Sequence, residues 1–310
     1  MPVHPDAQKF LDIVADAPPL DTLSVEQNRA DLSNALPLTG DARDLAFVQD
    51  MQIAGVPVRA YSATEIKNDA PAVIYLHGGG WVIGDLEIAD TTARDLAAYS
   101  EAVVISVDYR LAPEAPFPAA VDDALAVARA LLNGESPLPI DATRVAIAGD
   151  SAGATLATVT CQQLRGATPA LVHQALIYPG TELSSESTGS MGDFAEGHFL
   201  TRRDLEFFYA LYTDGHDRQD VRLAPGLNPD LGNLPSATVI TAGCDPLRDQ
   251  AEAYAQAMAE AGTVVTSVRF NGMVHPFFYM AGVIDTANSA RRFIGVQLKA
   301  ALALPARLDS

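Results

Sequence analysis

The sequence predicts an α/β fold with a mostly parallel sheet that is covered by helices on both faces. Beyond Pro71, short apolar runs rich in β-branched residues alternate with amphipathic helical stretches, which is typical of βαβ units. A turn signal, Ala54-Gly55, separates runs at 46–53 and 56–61 and predicts a hairpin. In sheets of this kind, functional groups lie in the loops beyond the carboxyl ends of the strands.

The predicted elements alternate along the chain. The further strands are the apolar runs at 72–76, 103–107, 145–148, 175–178, 238–241 and 264–270. The helices between and after them lie at 88–99, 119–132, 152–164, 250–261 and 286–302.

Two stretches lack strand signals. Residues 1–45 carry only helical patterns, and the interval 180–233 contains loops and one aromatic helix at 201–212. We therefore expect a main α/β domain at 46–310, with 1–45 and the insertion 180–233 forming a helical cap over the carboxyl ends of the strands.

The charge balance excludes several functions. The chain of 310 residues has 39 acidic and 20 basic side chains, a net charge of −19, and no basic cluster. Such a chain repels phosphate backbones and anionic lipid headgroups, so we expect neither a nucleic-acid nor a membrane partner. The N-terminal stretch lacks the pattern of a signal peptide, and Cys161 and Cys244 form no ligand pair, so we expect a cytoplasmic protein with buried free thiols.

The strongest local signal is Gly149-Asp150-Ser151-Ala152-Gly153, a G-x-S-x-G sequence. It follows the strand predicted at 145–148 and precedes the helix predicted at 152–164, so the serine lies at a sharp strand-to-helix turn. That turn exposes the hydroxyl beside the N–H groups of the helix start. The context predicts a nucleophilic serine; the alternative is a turn in which the serine only caps the helix.

A nucleophilic serine needs a base, and His275 is the best placed of the six histidines because it follows the last predicted strand. The acid candidate is Asp245, which follows the strand at 238–241. Asp245 could instead cap the next helix, and Asp249 is a competing acid. The chain order Ser151, Asp245, His275 is the nucleophile, acid and base order of α/β-hydrolases, and it favours Asp245.

A third signal, His77-Gly78-Gly79-Gly80, directly follows the strand at 72–76. Consecutive glycines let the backbone approach a substrate closely, with N–H groups that can stabilise an oxyanion. A phosphate-binding loop is the competing interpretation, but the G-x-x-x-x-G-K-[ST] spacing is missing and the chain is acidic. We expect His77 itself to brace the loop.

Together these motifs resemble the hormone-sensitive-lipase-like branch of the α/β-hydrolases, over about residues 45–300. The matching runs are HGGG at 77–80, GDSAG at 149–153 and DYRLAPE at 108–114, supported by WVIGD at 81–85, FPAA at 117–120 and DPLRD at 245–249. There are two departures. Pro276 follows the base where the family often has glycine, and the chain reads APEAPFP where a histidine commonly precedes the PFP.

The resemblance implies an eight-stranded sheet, a helical cap that includes the N-terminus, and carboxylesterase activity on short- or medium-chain acyl esters. It assigns the nucleophile to Ser151, the acid to Asp245 and the base to His275. It assigns the oxyanion donors to the backbone N–H groups of Gly79, Gly80 and Ala152.

Candidates for the substrate pocket flank these elements. They are Trp81 beside the glycine loop, Asp150 beside the serine, and Phe277 and Phe278 just past the histidine. A second aromatic set is equally compatible with a pocket and with ordinary core packing: Phe194, Phe199, Phe207, Phe208, Tyr209 and Tyr212. A further cluster, Asp214, His216, Asp217 and Asp220, fits no standard metal spacing, so we expect no metal and no cofactor.

The sequence thus predicts a serine carboxylesterase that acts on a small ester through an acyl-enzyme, with a homodimer as an open possibility. The same triad would serve an amidase, a thioesterase or a lactonase. A non-catalytic ligand receptor on this fold is the alternative of a different class, and the presence of His275 with Asp245 argues against it.

Overall fold

A computed structural model describes residues 1–184 and 186–303, and the end of the predicted main domain at 304–310 lies outside the described residues. The strands are β1 (Phe47–Ile53), β2 (Val56–Ser62), β3 (Ala70–Leu76), β4 (Val103–Val107), β5 (Ile140–Asp150), β6 (His173–Ile177), β7 (Ser236–Cys244) and β8 (Val265–Val274). The helices are α1 (Pro5–Ile13), α2 (Val25–Asn34), α3 (Leu86–Ser100), α4 (Ala119–Leu132), α5 (Ala152–Gln163), α6 (Gly189–Asp193), α7 (Arg202–Thr213), α8 (Arg248–Glu260) and α9 (Asp285–Ala303).

The eight strands form one sheet in the order β1-β2-β4-β3-β5-β6-β7-β8. The first two strands are a hairpin, antiparallel to each other, and β2 is antiparallel to β4. The remaining pairs, from β4 through β8, are parallel. The predicted fold class, including the hairpin and the eight-stranded, mostly parallel sheet, is therefore confirmed.

The predicted strands and long helices occur with boundaries shifted by a few residues. The largest change is in β5, which begins at Ile140 rather than 145 and reaches Asp150. The short helix α6 was not predicted, because a five-residue segment with two glycines has no apolar periodicity. Among the described helices, none has the length and apolar character needed to cross a bilayer.

The sheet separates two apolar layers. Successive side chains of a strand point to opposite faces, so Ile74 of β3 packs in one layer with α4, α5 and α8, whereas its neighbour Tyr75 packs in the other. The second layer contains α3 and α9. Burial on both faces explains why the central strands are almost continuously apolar.

One charged side chain lies inside the second layer. Arg291 of α9 is 1% exposed. Its guanidinium donates to the carbonyl oxygens of Phe278 (2.9 Å) and Tyr279 (2.8 Å), and to Asp95 of α3 (3.1 Å). A buried guanidinium is tolerated because its donors are satisfied, and here it joins two helices to the loop after β8.

We expect Arg291→Met to lower the free energy of unfolding by roughly 2–4 kcal/mol, because two buried carbonyl groups lose their donor. The matched control is Arg292→Met, since Arg292 is the next residue of the same helix and is exposed; its effect should stay within about 0.5 kcal/mol. Denaturant unfolding of both variants measures the difference. Equal losses in the two variants would contradict this role for Arg291.

Candidate active site

Three side chains predicted to act together follow the ends of three parallel strands. Ser151 directly follows β5, Asp245 directly follows β7 and His275 directly follows β8. Carboxyl ends of parallel strands share one edge of the sheet, so short loops after them bring distant residues together.

The serine lies on a strained turn. Ser151 has φ +52° and ψ −122°, a backbone conformation that side-chain-bearing residues rarely adopt. The turn is possible because its neighbours are glycines: a Cβ on Gly149 would collide with the backbone of Gly153, and a Cβ on Gly153 would collide with the carbonyl of Leu76. The Ser151 N–H is held by the Ile177 carbonyl at 2.9 Å. The serine hydroxyl therefore projects from a rigid corner.

The three side chains form a hydrogen-bonded line. The Asp245 carboxylate lies 2.9 Å from His275 Nδ1, and His275 Nε2 lies 2.9 Å from the Ser151 hydroxyl. A carboxylate only accepts, so Nδ1 carries the proton and Nε2 is left to accept from the serine. Both Asp245 and His275 are buried, and the ring of Tyr178 packs on the imidazole with centroids 4.3 Å apart.

Asp245 also has the turn role that the sequence left open. Its second oxygen accepts the Leu247 N–H at 2.8 Å. The helix α8 begins at Arg248, so Asp245 fixes the turn before the helix rather than capping it. The competing acid, Asp249, instead accepts the N–H of Ser190 at 2.8 Å and pairs with Arg248. Both oxygens of Asp245 are thus engaged, one by the chain and one by the histidine.

The glycine loop lies beside Ser151. Gly79 and Gly80 have φ of +124° and +60°, conformations that favour glycine. Their N–H groups have no acceptor among the described residues, whereas the Gly78 N–H is held by Asp150 and Tyr279. Ala152 is the first residue of α5, so its N–H is one of the free donors of the helix start. The arrangement offers three backbone donors beside one hydroxyl.

His77 lies behind that loop. Its ring is fully buried, stacks on Tyr109 with centroids 4.3 Å apart, and lies 2.8 Å from the Gly78 carbonyl through Nδ1. Burial lowers the pKa of His77, so the ring stays neutral. These contacts fit the bracing role that the sequence suggested.

A cavity of about 670 Å³ opens beside Ser151 and His275. Its lining is mostly apolar and includes Val14, Leu20, Phe199, Leu205, Phe208 and Met280. These residues come largely from the segments 1–45 and 180–233, which the sequence assigned to a cap. A neutral apolar group can therefore lie next to the serine in contact with apolar side chains.

The predicted pocket residues divide in two. Trp81 and Asp150 lie in the cavity wall. The prediction for Phe277 and Phe278 is wrong: both are fully buried in the layer that contains α9, because the 3₁₀ turn Phe277–Tyr279 directs them into the core. The residues of this loop that line the cavity are Pro276, Tyr279 and Met280.

The second aromatic set also divides. Phe199, Phe208 and Tyr209 line the cavity. Tyr212 instead stacks on Trp81 with centroids 4.4 Å apart and supports the wall from behind. Phe194 and Phe207 pack among apolar residues of the two layers.

Asp150 is surrounded by groups that sequence reasoning missed. One of its oxygens accepts the hydroxyls of Tyr75 and Tyr279, each at 2.7 Å, and the Gly78 N–H at 3.0 Å. Burial raises the pKa of Asp150 to about 6, although these three donors and the nearby His275 partly offset the increase. Nothing in the residue types marks Tyr75 or Tyr279 beforehand, because buried tyrosines of a strand or a turn are usually core residues.

No group of three or more histidine, cysteine, aspartate or glutamate side chains suited to a metal ion occurs within residues 1–184 and 186–303. In the acidic segment, Asp217 accepts the Gln219 N–H and Asp220 pairs with Arg222. The two cysteines, Cys161 and Cys244, are buried free thiols, as the sequence suggested.

Comparison with known proteins identifies relatives over most of the chain. A family model described as the alpha/beta hydrolase fold matches residues 73–279. Carboxylesterase NlhH of Mycobacterium tuberculosis is 40% identical over 77% of this chain and 76% of its own length. Ethyl acetate hydrolase of Pseudomonas putida is 36% identical over 93% of this chain and 96% of its own.

A solved structure agrees over nearly the whole length. It is an ester hydrolase from the metagenome of Lake Arreo, in complex with a derivative of bipyridine phosphonate. It superposes with a TM-score of 0.92 at 37% identity and covers 97% of this chain and 100% of that one.

The raised pKa of Asp150 makes the stability of the protein depend on pH. The folded-state pKa of about 6 exceeds the ordinary value of 3.8, so the folded state binds more protons between these values. The stability from protonated Asp150 is then complete below about pH 4 and is lost as the pH rises through 6, by about 3 kcal/mol in all.

Asp150→Asn removes this titration. The free energy of unfolding of the parent protein, minus that of the variant, should fall by about 2.4 kcal/mol between pH 4 and pH 7. Denaturant titrations at several pH values measure the difference. A constant offset between the two proteins across this range would show that Asp150 does not titrate in this way.

Proposed function

The chain belongs to the hormone-sensitive-lipase-like family of α/β-hydrolases, and on that premise we propose that it is a serine carboxylesterase acting on short- to medium-chain acyl esters. One observation carries the proposal. The hydrogen-bonded line Asp245–His275–Ser151 lies at the mouth of an apolar cavity, with unpaired backbone donors beside the hydroxyl. The relatives named above are esterases by name, which supports ester hydrolysis over the other acyl-transfer reactions.

The first step is attack by Ser151 on the ester carbonyl. Its Oγ forms the new C–O bond while His275 Nε2 takes the hydroxyl proton, and the carbonyl electron pair moves onto oxygen. Asp245 holds the Nδ1–H tautomer and stabilises the imidazolium that forms. The N–H groups of Gly79, Gly80 and Ala152 donate to the oxyanion, and each such donor is worth about 3–4 kcal/mol at most.

The tetrahedral intermediate then collapses. The C–O bond to the leaving alcohol breaks as His275 returns the proton to that oxygen, which leaves an acyl group on Ser151. Water takes the place of the alcohol, gives a proton to His275 and attacks the acyl carbon. The carboxylic acid leaves and the serine regains its proton, so the cycle needs no cofactor.

The cavity indicates the substrate class. Its lining is mostly apolar and includes several aspartates but no lysine or arginine, so it offers no fixed cation for a charged acyl group. A neutral ester with an alkyl or aryl group can fill such a cavity without burying an unpaired charge.

Two finer aspects are also proposals. A cytoplasmic location is supported by the two buried free thiols, which suit a reducing compartment. A homodimer is supported by the sheet edge at β8, whose first half carries exposed residues such as Thr266 and Ser267, because an edge strand can pair with a second copy. Sedimentation equilibrium measures the assembly state directly.

Ser151→Ala should lower kcat for p-nitrophenyl butyrate by about 10⁴-fold or more while the unfolding midpoint stays near that of the parent, because the variant loses the nucleophile. The control is Ser33→Ala, an exposed serine outside the cavity, which should keep full activity. Labelling by an organophosphate should occur in the parent and in the control but not in Ser151→Ala. Near-parental turnover by Ser151→Ala would refute the assignment.

The acyl preference should follow the shape of the cavity. With p-nitrophenyl esters of two to sixteen carbons, we expect kcat/KM to peak at roughly four to eight carbons and to fall at least about tenfold at sixteen. Phe208→Ala should move the peak to longer chains, since Phe208 lines the cavity. Phe207→Ala is the matched control on the same helix, because Phe207 packs against the core, and it should keep the parental profile. The same profile in all three proteins would contradict this view of the cavity.

A further inference from the structure

One buried hydroxyl joins the loops that the proposed reaction needs. The hydroxyl of Tyr279 donates to Asp150 Oδ1 at 2.7 Å and accepts the Gly78 N–H at 2.9 Å. Tyr279 lies four residues after His275, Asp150 directly precedes Ser151, and Gly78 directly precedes Gly79. The Tyr279 hydroxyl therefore connects the loop that carries the base to Asp150, next to the nucleophile. It also connects that loop to Gly78, next to the oxyanion donors.

The Tyr279 hydroxyl can donate one hydrogen bond and accept another at the same time. Burial raises the pKa of Tyr279 well above its usual range, so the group keeps its proton and donates it to the carboxylate. Its lone pair remains available to the Gly78 N–H. The bond to Gly78 matters because Gly79 and Gly80, with positive φ, have no side chains to hold them.

The backbone of Tyr279 is fixed independently. Arg291 donates to the carbonyl oxygens of Phe278 and Tyr279 at 2.9 and 2.8 Å. The tyrosine therefore links a rigid helix, α9, to the glycine loop.

We propose that Tyr279 is a positioning residue for the oxyanion donors: its hydroxyl fixes Gly78, and through it the N–H groups of Gly79 and Gly80, relative to Ser151 and His275. This inference rests on the proposed function, because it concerns the geometry in which the oxyanion is held. The hydroxyl of Tyr279 is engaged by Asp150 and Gly78, so the residue acts through the glycine loop.

The chain contains a matched control for this role. Tyr75 also donates to Asp150 Oδ1 at 2.7 Å and is also fully buried, but the N–H of Gly78 is bonded to Tyr279 and to Asp150. Tyr75→Phe and Tyr279→Phe each remove one oxygen atom and one donor to the same carboxylate. The two variants differ in the bond to the glycine loop.

The experiment compares the two variants with p-nitrophenyl butyrate and with a short-chain trifluoromethyl ketone, which forms a serine hemiketal whose oxygen takes the position of the oxyanion. In Tyr279→Phe we expect kcat to fall about 10- to 100-fold with KM within about twofold, because a loosened donor weakens the transition state more than the bound ester. The inhibition constant of the ketone should rise by a similar factor. Tyr75→Phe should change kcat and the inhibition constant by less than about threefold.

Two outcomes would overturn the proposal. One is an equal fall of kcat in both variants. The other is a Tyr279→Phe variant whose KM rises while its kcat and its inhibition by the ketone are unchanged. If Tyr279→Phe does not fold, 4-aminophenylalanine at position 279 replaces it. That group still donates to Asp150 but is a poor acceptor for Gly78, and the same fall in kcat is expected.

Ser151→Ala, assayed in parallel, separates this proposal from the proposed function. If Ser151→Ala still turns over the ester, both the proposed function and the positioning role are refuted. If Ser151→Ala is inactive while Tyr279→Phe keeps the parental kcat, only the positioning role is refuted.

Discussion

The site depends on the close approach of the first turn of α5 to the end of β3. Gly153 lies so near the carbonyls of Leu76 and His77 that no Cβ fits between them. That contact holds the helix start, with its free N–H groups, against the strand that leads into the glycine loop. A larger residue at this position would push the start of α5, and Ser151 with it, away from the glycine loop.

The same close approach places Asp150 where burial of its charge costs free energy but where its carboxylate can accept hydrogen bonds from several segments. The carboxylate is fully buried, and burial raises its pKa to about 6. Its donors come from β3, from the glycine loop and from the turn after His275, so one buried oxygen contacts three segments of the site. Burying the carboxylate costs free energy, and the hydrogen bonds that the carboxylate accepts fix the geometry at the serine.

The strand ends explain how much could be predicted from the sequence. Apolar runs mark the strands, and the residue after each run must lie at one edge of a parallel sheet, so Ser151, Asp245 and His275 could be grouped without coordinates. The direction of a side chain within a loop has no such signal. Phe277 and Phe278 adjoin the histidine in the chain and nevertheless point into the core, because a 3₁₀ turn reverses the path there.

Tyr279 and Arg291 escaped prediction for a related reason. Their partners lie far away in the chain: the Tyr279 hydroxyl bonds Gly78, and Arg291 bonds Asp95. No local pattern records such contacts, and a tyrosine or an arginine on an otherwise ordinary element is indistinguishable from a packing or surface residue.

The net charge of −19 affects the product more than the substrate. A neutral ester is neither attracted nor repelled by an acidic surface, and the apolar cavity beside Ser151 takes it up through burial of its alkyl or aryl group. Hydrolysis turns that ester into a carboxylate at neutral pH. The carboxylate then has unfavourable electrostatic interactions with the acidic surface and with Asp12 and Asp31 of the cavity lining. The apolar cavity thus favours entry of the ester and the surrounding charge favours departure of the acid, so the two features act at opposite ends of one reaction.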